Sequence, residues 1–261
     1  MTTVAGLRAS KAWAGVDREL DAWAVSGVPA SLWIRDDDAV AATPALSRLA
    51  ALSRESAVPV CVAVIPNLLE PTLASALDLW PEASVVQHGF AHVSHSAAGE
   101  KKAEFSEPGA PSARRRELTL GKNKLRETFA SRFVPMLVPP WNRINDDWRP
   151  VLPQLGYSMI STFKPRQNDV DGSWVQAVNC HVDIVDWRGT RGFIGIEPAL
   201  ESLTAHLRNR RLKAVDEGEP TGILTHHLVH DEACWAFLEV LFHQLGEDSR
   251  VEWLPVSRLD S

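Results

Sequence analysis

Short apolar runs recur along the chain, separated by stretches whose apolar positions fall at helical spacing. The runs are 30–34 (ASLWI), 58–65 (VPVCVAVI), 84–87 (SVVQ), 133–138 (FVPMLV), 157–161 (YSMIS), 177–182 (AVNCHV), 222–225 (GILT) and 251–255 (VEWLP). Runs this short and this apolar predict strands buried on both faces. Helical patterns lie between most of them, at 43–55, 70–79, 112–130, 146–155, 197–213 and 231–245, after a leading helix over 12–24. Thr43-Pro44, Glu70-Pro71 and Asp231-Glu232 mark helix starts. Strands that alternate with helices predict an α/β fold with a parallel sheet, and about seven or eight such units predict closure into a (β/α) barrel. The Pro- and Gly-rich segments 106–112 and 215–222 read as surface loops, because the alternation continues across both. The chain therefore reads as one domain over 1–261, with a helical N-terminal extension over 1–28.

Composition narrows the partners. A chain of 261 residues with 45% hydrophobic side chains, 15 Gly and 17 Pro is ordinary globular material, which excludes disorder and low-complexity arrays. Net charge is −6 and no long basic run appears; Arg114-Arg115-Arg116 is followed at once by Glu117. Nucleic acid is not an expected partner. The longest apolar stretch, 58–66, falls short of the roughly 20 residues that span a bilayer. The N-terminus lacks the apolar core of a signal peptide, and Cys61, Cys180 and Cys234 show no paired spacing. Together these predict a soluble cytoplasmic protein in a reducing compartment, without a membrane partner. The oligomeric state is not encoded in any of these patterns.

In a barrel of this kind the functional side chains sit just past the C-terminal ends of the strands. Those ends carry Arg35-Asp36-Asp37-Asp38, His88-Gly89-Phe90-Ala91-His92, Pro139-Pro140-Trp141-Asn142-Arg143, Asp183-Ile184-Val185-Asp186-Trp187 and His226-His227. With 9 His in 261 residues, chance placement yields roughly 0.3 pairs at i,i+4, and two occur: His88/His92 and His226/His230. Such a pair plus one carboxylate makes a three-ligand metal site with a position open for water. Three adjacent carboxylates repel one another, so a cation belongs near them, either a metal or Arg35. One carboxylate can ligate while its neighbour stays free as a base, and Asp38 also suits the N-cap of the next helix. At 226–231 the preferred reading is a single proton donor at the strand end, oriented by Asp183 or Asp186; a rival metal site through His226 and His230 is the alternative. His181, His206 and His243 read as structural or surface residues. Of ten Trp, Trp141, Trp174 and Trp187 fall in mouth-side loops, where they can stack on a sugar ring, and Trp13, Trp23, Trp80 and Trp235 read as core.

In chain order these features are an acidic pair, His-x-x-x-His, a Pro-Trp loop, Asp-x-x-Asp-Trp and a late Leu-x-His. That series resembles the polysaccharide deacetylases of carbohydrate esterase family 4, metal-dependent N- and O-deacetylases on a distorted (β/α) barrel. The resemblance spans 31 to about 228. It implies Asp36 as catalytic base, and Asp37, His88 and His92 as ligands of a divalent ion, usually zinc. It implies Pro140 and Trp141 as the groove wall, Asp186 before Trp187 as the carboxylate that tunes the acid, and His226 as the acid itself. Trp187 and Arg143 complete the expected substrate contacts. Three positions depart from the family pattern: Gly89 replaces Ser or Thr, Val138 replaces an Arg that steadies the base, and Asp38 replaces Gly. Arg35 and Arg143 are the candidates to stand in for that Arg.

The activity implied is hydrolysis of a non-peptide C–N bond, deacetylation of an N-acyl sugar or related small carbohydrate. Two alternatives stay open. One is a non-catalytic metal- and carbohydrate-binding relative; the other is a hydrolase of a small cyclic amide.

Overall fold

The computed structural model describes residues 4–167 and 175–259. Two helices, α1 (Val4–Arg8) and α2 (Trp13–Ala24), precede strand β1 (Ala30–Ala39). The alternation continues as α3 (Pro44–Ser56), β2 (Cys61–Val64), α4 (Pro71–Asp78), β3 (Ser84–His88), α5 (Ser112–Phe129) and β4 (Phe133–Val138). Then come β5 (Met159–Ile160), β6 (Gln176–Ala177), β7 (Cys180–Asp183), α6 (Ile196–Arg211), β8 (Thr221–Thr225), α7 (Glu232–Leu245) and β9 (Val251–Trp253). Local chemistry explains the helix starts. The Thr43 hydroxyl accepts the Leu46 N–H (3.0 Å) ahead of Pro44, and the Asp231 carboxylate accepts the Cys234 N–H (2.8 Å). Asp38 is therefore not the cap of the helix that follows it.

Neighbouring strands pair in parallel in the order β6-β5-β4-β3-β2-β1-β8-β7, and β9 pairs with the start of β1. The sheet curls until the segment after β5 meets β7 at a bridge between Phe163 and Cys180. The result is the distorted (β/α) barrel expected from the alternation. Two details differ. The helix expected over 146–155 is one 3-10 turn, Asp146–Trp148, followed by further turns, because Pro150 and Pro153 supply no N–H and break the ladder. The run 177–182 is divided between β6 and β7.

The strand parity decides what points where. Leu32 and Ile34 of β1 belong to the large core between the sheet and its helices, whereas Trp33 belongs to the small core inside the barrel with Cys61, Met136, Cys180 and Leu224. Alternation then sends Arg35 and Asp37 inward and Asp36 toward the helices. Beyond Asp36 the register slips, since Asp36 faces Val62 but Ala39 faces Val64. This bulge holds Asp38 in the left-handed region (φ 71°), which re-aims its side chain toward the mouth.

Trp13, Trp23, Trp80 and Trp235 are buried, as are the free thiols of Cys61, Cys180 and Cys234. Trp174 lies outside the described residues. Among those residues no helix is long and apolar enough to cross a membrane.

Candidate active site

His88 ends β3, and its inward parity carries the ring to the C-terminal mouth. Its Nδ1 lies 3.0 Å from the Val138 carbonyl oxygen. A carbonyl can only accept, so Nδ1 carries the proton and the Nε2 lone pair is left free. That Nε2 lies 3.0 Å from Asp38 Oδ1, and His92 Nε2 lies 3.3 Å from the same oxygen. Asp38 Oδ1 is buried and has no hydrogen-bond donor. His88 Nε2 and Asp38 Oδ1 are both acceptors and repel unless a cation lies between them, so the trio with His92 fits a divalent ion. Burial and the neighbouring His88 push the His92 imidazole below its ordinary value. The expected ligand set was Asp37, His88 and His92; the structure brings Asp38 to the two imidazoles instead.

Asp37 has a different partner. The Arg35 guanidinium donates to both of its oxygens, Nε to Oδ1 at 2.8 Å and Nη2 to Oδ2 at 3.0 Å. Arg35 is itself held by the Ser161 hydroxyl (2.6 Å) and by Asn142 Oδ1 (2.7 Å). Burial alone lowers the guanidinium's pKa, but Asp37 more than offsets it and the net shift is upward. Arg35 is thus the arginine that pairs with Asp37. Arg143 does not; it is exposed and donates to the Lys102 carbonyl (3.0 Å). The free side of Asp37 Oδ2 faces His226 Nε2 at 4.0 Å.

Asp36, expected as the base, lies on the helix side, fully buried. It accepts from the Thr225 hydroxyl (2.7 Å) and the His227 N–H (2.9 Å), and pairs with His227 Nδ1. Burial raises the Asp36 carboxyl, yet the His227 imidazole and the Thr225 hydroxyl leave it below its ordinary value. Its geometry is that of a clamp: it ties the loop after β8 to β1.

Trp187 packs edge-on against His226 (4.7 Å between ring centroids) and is 38% exposed. The carboxylate beside them is Asp183, which accepts from Trp187 Nε1 (2.9 Å) and the Val185 N–H (3.0 Å). Burial raises the Asp183 carboxyl, and His226 draws it part of the way back. Asp186 is spent on its own turn, accepting the N–H groups of Gly189 (3.0 Å) and Thr190 (3.2 Å). Of the two carboxylates, Asp183 is the one close enough to His226 to feel its charge. His230 accepts the His226 N–H at Nε2 (3.1 Å), so the pair His226/His230 does not form a rival metal site. Trp141 packs on His92 (4.4 Å between centroids), while Pro140 beside it is buried.

A second group, His181, His206 and Glu219, also lies close enough to share an ion and is fully buried. Its chemistry does not suit one. His181 Nδ1 accepts the Gly222 N–H (3.0 Å), which places the ring proton on Nε2, 3.4 Å from Glu219. A protonated nitrogen has no lone pair for a metal. The two rings stack at 3.3 Å, and burial, followed by His181 and Arg210, pushes the His206 imidazole down to about 2. The unfolded chain takes up a proton below its ordinary 6.5 that the folded chain refuses, so stability is full above 6.5 and lost as pH falls. At pH 5 the loss is expected to be about 2 kcal/mol. Urea denaturation at pH 7 and pH 5 measures it, and His206→Gln should shrink the drop by that amount.

Neither a protein-family model nor a curated protein matches the sequence. Solved structures do. A family 4 acetyl xylan esterase from Clostridium thermocellum, in complex with a cobalt ion, aligns at TM-score 0.51 and 12% identity over 88% of this chain and 89% of that one. A peptidoglycan N-acetylglucosamine deacetylase aligns at 0.55 and 11% over 88% of both chains. A family 4 carbohydrate esterase from Streptomyces lividans, in complex with acetate, aligns at 0.52 and 12% over 85% and 90%. The chain therefore has the fold of the family 4 carbohydrate esterases and polysaccharide deacetylases, the architecture that its motif order resembles.

Proposed function

We propose that this chain is a metal-dependent hydrolase that removes an acetyl or similar acyl group from the nitrogen of an amino sugar or related carbohydrate. One juxtaposition carries the reading. Asp38, His88 and His92 converge with free donor atoms, beside Asp37, whose charge Arg35 balances and whose open oxygen faces His226. The fold shared with deacetylases and esterases supports the same reaction class. Two imidazoles and a carboxylate suit zinc and leave a coordination position open. A bound ion would supply Lewis-acid polarisation of the acyl oxygen and an acidified water.

The chain's own residues then divide the remaining work. Asp37 accepts the proton of the attacking water at Oδ2, and Arg35 holds its carboxylate in place through two hydrogen bonds. His226 donates from Nε2 to the departing nitrogen, without which an amine leaves poorly. Asp183 accepts from the Trp187 indole N–H and so fixes the ring that packs against that imidazole. Trp141 and Trp187 wall the two sides of the mouth and offer apolar faces to a sugar ring.

Elemental analysis of the purified protein, paired with acetate release from N-acetylated amino sugars, tests the proposal. The expected result is about one equivalent of a divalent ion, with activity lost on chelation and restored by that ion. No metal after reconstitution would overturn the hydrolase reading.

A further inference from the structure

The turn that joins the two histidines of the trio has a brace from a segment the reaction does not use. Glu104 lies between β3 and α5 and is 1% exposed. Its carboxylate accepts the Phe90 N–H at 3.2 Å and the Ala91 N–H at 2.8 Å. Both amides belong to the turn 89–92, which begins and ends in left-handed backbone, φ 54° at Gly89 and 58° at His92. A non-glycine residue such as His92 stays in that region only where its surroundings over-determine it. Position 89 is equally constrained, because a β-carbon there would lie 2.0 Å from Glu104 Oε2 and 2.7 Å from the Pro140 ring. The departure at Gly89 thus has a counterpart in Glu104: the missing side chain makes room for the carboxylate.

A buried carboxylate is costly unless it is fully used. Here the backbone amides of the ligand turn are what it is used on. We propose that Glu104 is a positioning residue of the metal centre: it fastens the turn 89–92 so that the Nε2 atoms of His88 and His92 meet at Asp38. This inference rests on the metal-site reading above. Glu104 acts through the main chain and touches neither the reacting atoms nor the ion.

Glu104→Ala and Glu104→Gln in the full chain test it through three readouts. Hydrogen exchange of the amides of residues 90 and 91 in metal-free protein should accelerate in Glu104→Ala. Cobalt(II) affinity, by chelator competition, should fall roughly 10- to 100-fold. The visible spectrum of the cobalt form should shift as the ligands lose their geometry. Glu104→Gln keeps one acceptor oxygen and should fall between the two. A folded Glu104→Ala protein with wild-type affinity and spectrum would overturn the proposal. Should that variant fail to fold, wild-type affinity and amide protection in Glu104→Gln would overturn it equally. Failure of the wild type itself to bind cobalt would defeat both this inference and the hydrolase reading, whereas unchanged variants defeat this inference alone.

Discussion

Asp37→Asn is expected to lower kcat by roughly 10²- to 10⁴-fold, the range for loss of a general base, with metal content unchanged. The side chain keeps its shape but loses its affinity for a proton. Asp37 is the carboxylate beside Asp38, His88 and His92 whose Oδ2 faces His226, and its charge is balanced by a bidentate guanidinium. Asp36→Asn is the control. Asp36 is shut away on the helix side against Thr225 and His227, so its loss should appear mainly as reduced stability, with kcat changing far less. Removing the partner of a buried charge typically costs about 3–5 kcal/mol, which thermal or urea denaturation would register. An inactive Asp36→Asn beside an active Asp37→Asn would return the base to position 36.

Asp38→Ala is expected to abolish stoichiometric metal binding, as is His92→Ala. Its oxygen is the point on which both imidazole Nε2 atoms converge, at 3.0 and 3.3 Å. Removing a ligand should cost more than the ~10- to 100-fold that loss of a supporting contact costs. Elemental analysis of Asp37→Asn and Asp38→Ala side by side separates the roles. The first should retain its ion and the second should not. Metal retained in Asp38→Ala and lost in Asp37→Asn would restore the ligand set that the sequence pattern suggests.

These two exchanges concern a one-residue register, and the reason the register escapes a reading of the sequence is physical. Three consecutive aspartates are chemically alike, so nothing in their order says which faces inward. Parity could have excluded Asp36: Leu32 and Ile34 share its face, and both are the kind of side chain that packs under helices. No local pattern could have placed Asp38, because its direction depends on a bulge created by how β1 pairs with β2. Arg35 was visible as a candidate for the same reason that it works, being two residues from Asp37 on one face of a strand. Glu104 left no sequence signal, since its partners are backbone amides more than ten residues away.

What the sequence determined by itself was the architecture and the roster of chemical groups. Apolar runs of strand length between helical periods leave few arrangements other than a curled parallel sheet, because each face must be buried. The residues gathered at the mouth follow from where strands end. What only the tertiary structure decided was which of those groups meet. Side-chain partnership here is set by register, by the left-handed backbone at Asp38 and His92, and by contacts across the chain such as Asp36 with His227 and Arg35 with Ser161. Those depend on the packing of whole strands against one another, and local composition does not carry that information.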